Sequence, residues 1–189
     1  MSKQPTTLPP WHRVDGPHEI ARTGPLSACV TTWENSSKAH RLSALEIVSR
    51  DWCNVVAVTK NGDVVLVRQF RFGIDDFSLE TPGGVVDDGE TAEDAAVREL
   101  FEETGYRGDA PVRLSRVNPN PALQANEAHG FLVQNATFVG GHQADDGEEL
   151  EVVTIHGAAV SRLIADGSIS HALIVVTLQA WLGMGSRTP

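Results

Sequence analysis

Apolar and β-branched residues recur along this chain in short runs broken by polar and glycine-bearing segments. Leu26–Trp33 and Leu42–Ser49 read as two strands joined across the polar 35–38 stretch. Val55–Thr59 and Val64–Phe70 flank Asn61-Gly62, which predicts a tight hairpin with both turn residues at positive φ. A short strand over Phe77–Thr81 runs into Pro82-Gly83-Gly84, which ends regular pairing. A helix over Ala92–Thr104 follows, with Thr91 as N-cap, Asp94 three residues on, and Gly105 as the stop. Further strands are expected at Val112–Val117, Gly130–Val133 and Glu151–Ile155. Helices are expected near Ala158–Ala165, closed by Gly167, and His171–Leu182. Strands and helices mix without strict alternation, so α+β with a mixed sheet fits better than a doubly wound sheet.

The chain has 189 residues, 41% of them apolar, which suits a globular protein with a real core. Its formal charge of −10 argues against sequence-independent nucleic-acid binding and against a polybasic membrane anchor. It does not exclude a phosphate-bearing substrate, because divalent cations can invert the local charge. Cys29 and Cys53 lack C-x-x-C spacing, so a disulfide framework is not expected and a reducing cytoplasm is. The longest apolar stretch, Ala172–Met184, carries Thr177 and Gln179 and is too short to span a bilayer. A soluble protein with no membrane or nucleic-acid partner is expected.

On a helical wheel Glu99, Glu102 and Glu103 fall within about 100° of arc. Ala92, Ala95 and Ala96 share that face, while Val97, Leu100, Phe101 and Thr104 would face the core. The three acids repel by a few tenths of a kcal/mol per pair, roughly, and Arg98 offsets part of this as the i,i+4 partner of Glu102. Such a face is either merely solvated or a site for a hard cation, since Mg²⁺ and Mn²⁺ prefer carboxylate and carbonyl oxygens. The longer pattern decides. Gly84-x5-Glu90-x7-Arg98-Glu99-Leu100-x-Glu102-Glu103-x-Gly105-Tyr106 resembles a complete Nudix box, with Tyr106 slightly off pattern. Seven fixed residues at background frequencies would coincide in a chain of this length about once in a million.

Physically, Pro82-Gly83-Gly84 lets the backbone turn tightly enough to aim a carbonyl at a metal. Arg98 is placed to hold Glu90 and Glu102 by charge-assisted hydrogen bonds. The resemblance implies a Nudix-type mixed sheet sandwiched between helices, with a small N-terminal antiparallel sheet. It also implies that Glu99, Glu102, Glu103 and the backbone of Gly83 bind two or three Mg²⁺ (or Mn²⁺) ions. These would clamp a diphosphate and activate the attacking water. The expected organisation is a tail at 1–10, a dimerising β-sheet region at 11–50, the Nudix hydrolase domain at 51–183, and a tail at 184–189.

Val67-Arg68-Gln69-Phe70-Arg71 and Leu79-Glu80-Thr81-Pro82-Gly83-Gly84 resemble the approach to the box in ADP-ribose and nucleotide-sugar pyrophosphatases. Those usually read Gln-Tyr-Arg and Glu-Leu-Pro-Ala-Gly, so Phe70, Thr81 and Gly83 are departures. The stretches 51–56 and 118–126 are similar to a branch acting on nucleoside diphosphate sugars. The implied substrate is therefore ADP-ribose or a nucleotide sugar such as GDP-mannose, cleaved to a nucleoside monophosphate and a sugar phosphate. Arg71 is expected at the phosphate or sugar, and Arg68 either there or in a surface ion pair. Glu80 would pair with such an arginine or accept from ribose or base. Trp52 is a core or interface aromatic, or a platform for the base. For the general base the resemblance points to the acidic 145–151 loop, with Glu148 first and Glu149 next, and Glu99 competing. Seven scattered histidines show no zinc-ligand spacing. The N-terminal strands resemble the sheet by which this group forms homodimers. The rivals are an enzyme clearing modified nucleoside triphosphates and a non-catalytic nucleotide-sensing Nudix module.

Overall fold

The computed structural model describes residues 7–35, 37, 40–140 and 149–185. They belong to two compact units, one built from 1–49 with 120–126 and the other from 50–119 with 127–189. In the first unit β1 (His12–Thr23), β2 (Leu26–Asn35) and β3 (His40–Val48) form an antiparallel sheet in sequence order. In β2 the alternation is plain, with Ser27, Cys29 and Thr31 buried between less buried neighbours. The Ile47 amide donates to the Leu123 carbonyl at 2.8 Å, which brings the 120–126 segment alongside β3.

The second unit is a mixed sheet of β4 (Trp52–Thr59), β5 (Asp63–Arg71), β6 (Asp76–Glu80), β7 (Tyr106–Arg107), β8 (Val112–Val117), β9 (Ala128–Phe138) and β10 (Leu150–His156). The order is β10-β5-β4-β9-β7, with β6 also on β5 and β8 also on β9. Only the β4–β9 pair is parallel among these strands. The helices are α1 (Ala92–Thr104), α2 (Val160–Ala165), which a 3₁₀ turn at Gly157–Ala159 leads into, and α3 (Ala172–Gly185).

Central strands are buried on both faces, and successive residues choose opposite layers. Cys53, Val55, Ala57, Val65, Phe131 and Val133 pack with Ala95, Ala96 and Leu100 of α1. Val56, Val64, Leu66 and Leu132 pack with Val160, Ile169, Ile174 and Leu178 on the other side. The sheet therefore lies between helices, and the expected α+β class with a small antiparallel sheet holds. Among the described residues no helix is long and apolar enough to cross a membrane.

Three local expectations need correction. β1 was not expected; nearly all of it is exposed, so it carries no apolar alternation to read. The β4–β5 hairpin has positive φ at Gly62 but not at Asn61. The Gly62 amide bonds the Thr59 carbonyl at 3.0 Å, and the Thr59 hydroxyl accepts from Asp63 N–H at 3.1 Å, closing a three-residue loop that needs one left-handed residue. In α1 the alanines, not Val97, face the core: Ala95 and Ala96 are fully buried and Val97 is exposed. Small side chains let the helix sit close to the sheet, which takes Glu103 into a buried position.

The caps of α1 match the sequence reading. Thr91 accepts from Asp94 N–H at 3.1 Å, and Gly105, at φ 70°, donates to the Phe101 carbonyl at 2.8 Å. An alanine Cβ at 105 would also lie 2.8 Å from the Phe138 ring. Gly105→Ala is expected to cost roughly 1–2 kcal/mol, read as a lower urea midpoint with unchanged slope.

Candidate active site

The segment after β6 lies along β4 by three backbone bonds. Val55 N–H donates to Pro82 O at 2.8 Å, Cys53 N–H to Gly84 O at 2.9 Å, and Val86 N–H to Asp51 O at 2.9 Å. A Cβ at Gly83 would overlap the Cys53 carbonyl oxygen and lie 2.9 Å from the Asn54 Cα. One at Gly84 would overlap the Glu99 carboxylate. Both glycines are thus needed for close approach, of backbone to strand and of backbone to carboxylate. The Gly83 amide also donates to Glu103 Oε2 at 2.9 Å, so the buried box acid is held by the glycine loop.

Arg98 joins the other acids. Its Nε and Nη2 bond Glu90 at 2.9 Å each, and Nη2 also reaches Val85 O at 3.1 Å. Its Nη1 bonds Glu99 Oε1 at 2.8 Å and Glu102 Oε2 at 3.0 Å. The expected partners were Glu90 and Glu102; Glu99 and the Val85 carbonyl are additional. The bonds to Glu90, and then those to Glu102 and Glu99, raise the arginine's own pKa, so it stays cationic. The same bond from Arg98 is the main cause of a lowered Glu90 pKa. The Asp87 amide donates to Glu90 Oε2 at 3.1 Å, so the loop also holds Glu90 from its own backbone.

Glu99 and Glu102 thus face one guanidinium nitrogen, while Glu103 turns to Gly83. The donor set is carboxylate oxygen throughout, with no sulfur or imidazole, and fits a hard divalent cation. Among the described residues, however, the group that brings three ligand atoms within 4.8 Å of one another is Asp51, Glu127 and His129. No sequence spacing pointed to these residues.

Arg71 and Glu80 pair with each other, Nε to Oε1 at 2.9 Å and Nη2 to Oε2 at 2.7 Å. Glu80 is only 2% exposed. Burial pushes its carboxyl up, but the Arg71 hydrogen bonds and charge outweigh this and leave its pKa below the ordinary value. Arg68 Nη1 bonds Glu151 at 2.6 Å across the β5–β10 register on the exposed surface. Trp52 is half-buried at the start of β4, with its amide on Glu127 O at 2.9 Å and a bridge to Val85. Glu149 is exposed just before β10, and Glu148 lies outside the described residues. Cys53 is buried behind Gly84, and burial pushes its thiol up to about 12, which leaves it inert at neutral pH.

Comparison with known proteins places the chain in a family. Residues 51–171 match the model of the NUDIX domain. The ADP-sugar pyrophosphatase of Mus musculus is 32% identical over 160 residues, covering 79% of this chain and 72% of its own. The ADP-ribose pyrophosphatase of Bacillus subtilis (strain 168) is 30% identical over 131 residues, covering 66% and 71%. A putative 8-oxo-dGTP diphosphatase of the same bacterium is 36% identical over 95 residues, covering 50% and 58%. Among solved structures, a crystal structure of an ADP compounds hydrolase superposes with a TM-score of 0.78 at 22% identity, over 90% of this chain and 94% of that one. The chain belongs to the Nudix family.

Two consequences are testable. Gly83→Ala places the residue usual among the resembled pyrophosphatases, yet here it should cost about 1–3 kcal/mol, because β4 must move; an unchanged urea midpoint would mean the loop does not sit on β4 as described. The second concerns Arg71→Met. In the parent, Glu80 contributes stability that is full above its ordinary pKa of 4.5 and is lost as pH falls through the lowered folded value. Without Arg71, burial is opposed only by the Ser78 hydrogen bond and His171 and raises the folded value, so the variant's deficit should be largest near neutrality and shrink below about pH 4. Urea denaturation across pH measures it.

Proposed function

We propose that this chain is a divalent-cation-dependent pyrophosphohydrolase that cleaves the diphosphate of ADP-ribose or a related nucleoside diphosphate sugar. The products are a nucleoside monophosphate and a sugar phosphate. The observation that supports this best is the Arg98 cluster, which aims Glu99 and Glu102 at one point beside the glycine loop that Glu103 grips. The names of the mouse and Bacillus subtilis relatives support the substrate class.

Two or three Mg²⁺ ions, or Mn²⁺, bound here would neutralise charge on the diphosphate oxygens and make a bound water acidic. Glu99, Glu102, Glu103 and the Gly83 backbone would hold them, and Arg98 keeps the glutamates from splaying. Arg71, oriented by Glu80, meets the phosphate or sugar, with Arg68 and Trp52 as further contacts. With Glu99 taken as a metal ligand, the proton acceptor proposed is the Glu148–Glu149 segment, of which Glu149 is exposed just before β10. The chain acts in the cytoplasm as a homodimer. Support for the dimer comes from Ile20, Leu26, Leu42, Leu45 and Val48, apolar side chains of the small sheet that are 36–63% exposed.

A second reading, clearance of modified nucleoside triphosphates, is favoured by the 8-oxo-dGTP diphosphatase relative over half the chain. A non-catalytic sensing module is opposed by the full set of box carboxylates. A panel of ADP-ribose, nucleotide sugars and triphosphates with Mg²⁺ or Mn²⁺ discriminates them. ADP-ribose or a nucleotide sugar should turn over fastest, and Glu103→Gln should lower kcat by at least about a hundredfold with the fold intact. Preference for triphosphates, or full activity of Glu103→Gln, would refute the assignment. On gel filtration the protein should elute at twice its chain mass.

A further inference from the structure

Asp51, Glu127 and His129 have the composition of a cation site, but their hydrogen bonds exclude one. His129 is 6% exposed and bonds at both ring nitrogens, Nδ1 to Arg113 Nη1 at 3.2 Å and Nε2 to Asp51 Oδ2 at 3.2 Å. A guanidinium can only donate, so Nδ1 accepts and the ring proton sits on Nε2, which donates to Asp51. A histidine that ligates a metal gives its other ring proton to an acceptor, and here that nitrogen faces a donor. Glu127 is taken by Arg116, Nε to Oε2 at 2.7 Å.

The same bonds trace a continuous brace. Glu93, in the first turn of α1, holds Arg113 of β8, whose guanidinium also lies 5.3 Å from the Phe131 ring centroid. Arg113 fixes the His129 tautomer, and His129 with the Glu127 amide (2.8 Å) fixes the Asp51 carboxylate. The Asp51 carbonyl then receives Val86 N–H at 2.9 Å, at the end of the glycine loop. The charged groups around His129 are Asp51, Glu127, Arg113, Glu93 and Arg116, and all belong to this network.

We propose that His129 is a positioning residue, locked by Arg113 as its Nε2–H tautomer, and that through Asp51 it sets the glycine loop against the first turn of the box helix. This rests on the hydrolase reading only for its effect on turnover. Asparagine at 51 still accepts from Glu127 N–H, but it turns an N–H toward His129 Nε2–H. Arg113 prevents the ring from changing tautomer to relieve that clash. Removing Arg113 frees the ring to change.

The test is nitrogen NMR of the histidines and amide exchange at Val86 in metal-free protein, with kcat alongside. The parent should show the Nε2–H tautomer at His129. Asp51→Asn should speed Val86 exchange and lower kcat about tenfold, with KM little changed. Arg113→Met with Asp51→Asn should be less impaired than Asp51→Asn alone, and Arg113→Lys should keep the tautomer. An Nδ1–H tautomer in the parent, unchanged Val86 exchange in Asp51→Asn, or additive effects in the double variant would each overturn the proposal. NMR and exchange need no substrate. If they come out as stated while the substrate panel shows no turnover, the brace stands and the hydrolase reading falls.

Discussion

The site depends on a single guanidinium. Arg98 emerges from the middle of α1, and its three nitrogens reach Glu90 in the loop, Glu99 and Glu102 on its own helix, and the Val85 carbonyl. Glutamates this close on one helix face repel, and their side chains would spread into water unless something cationic gathered them. Because an arginine cannot be deprotonated in a protein, it gathers them at every pH where the carboxylates are ionised. Its planar fork also fixes direction, which a lysine's single ammonium would not.

That arrangement needs the loop and helix to approach closely, and the approach is a packing result. Val55, Ala57, Phe131 and Val133 form one face of the central strands, onto which Ala95 and Ala96 settle with almost no side chain between. Glu103 is carried into the interior by the same closeness, where the Gly83 amide meets it. Glycine at 83 and 84 removes the two side chains that would hold the loop away from β4 and from Glu99. Core composition and site geometry are therefore one constraint seen from two sides.

Much of this could be read from the sequence because it is local. The spacing of the box, Thr91 and Gly105 as caps, and the doubly apolar central strands all act over short distances along the chain. β1 could not be read, because an exposed strand has no reason to alternate. Of the α1 residues read as core, Leu100 and Thr104 are buried, but Val97 is exposed and Ala95 and Ala96 are buried in its stead, because close approach selects for small side chains. For Glu80 the sequence left two roles open, pairing with an arginine or accepting from ribose or base, and the cross-strand bonds to Arg71 show the pairing. The Asp51–His129–Arg113 brace joins residues that no motif relates, and the direction of its hydrogen bonds exists only in three dimensions.

The central claim is that Arg98 gives the box its geometry rather than merely compensating its charge. Mn²⁺ titration of the metal-free protein and of Arg98→Gln, followed by the paramagnetic resonance of the free ion, separates the two. If Arg98 sets geometry, affinity should fall about 10–100-fold in the variant, although a competing positive charge has been removed. Equal or tighter Mn²⁺ binding by Arg98→Gln would contradict the account.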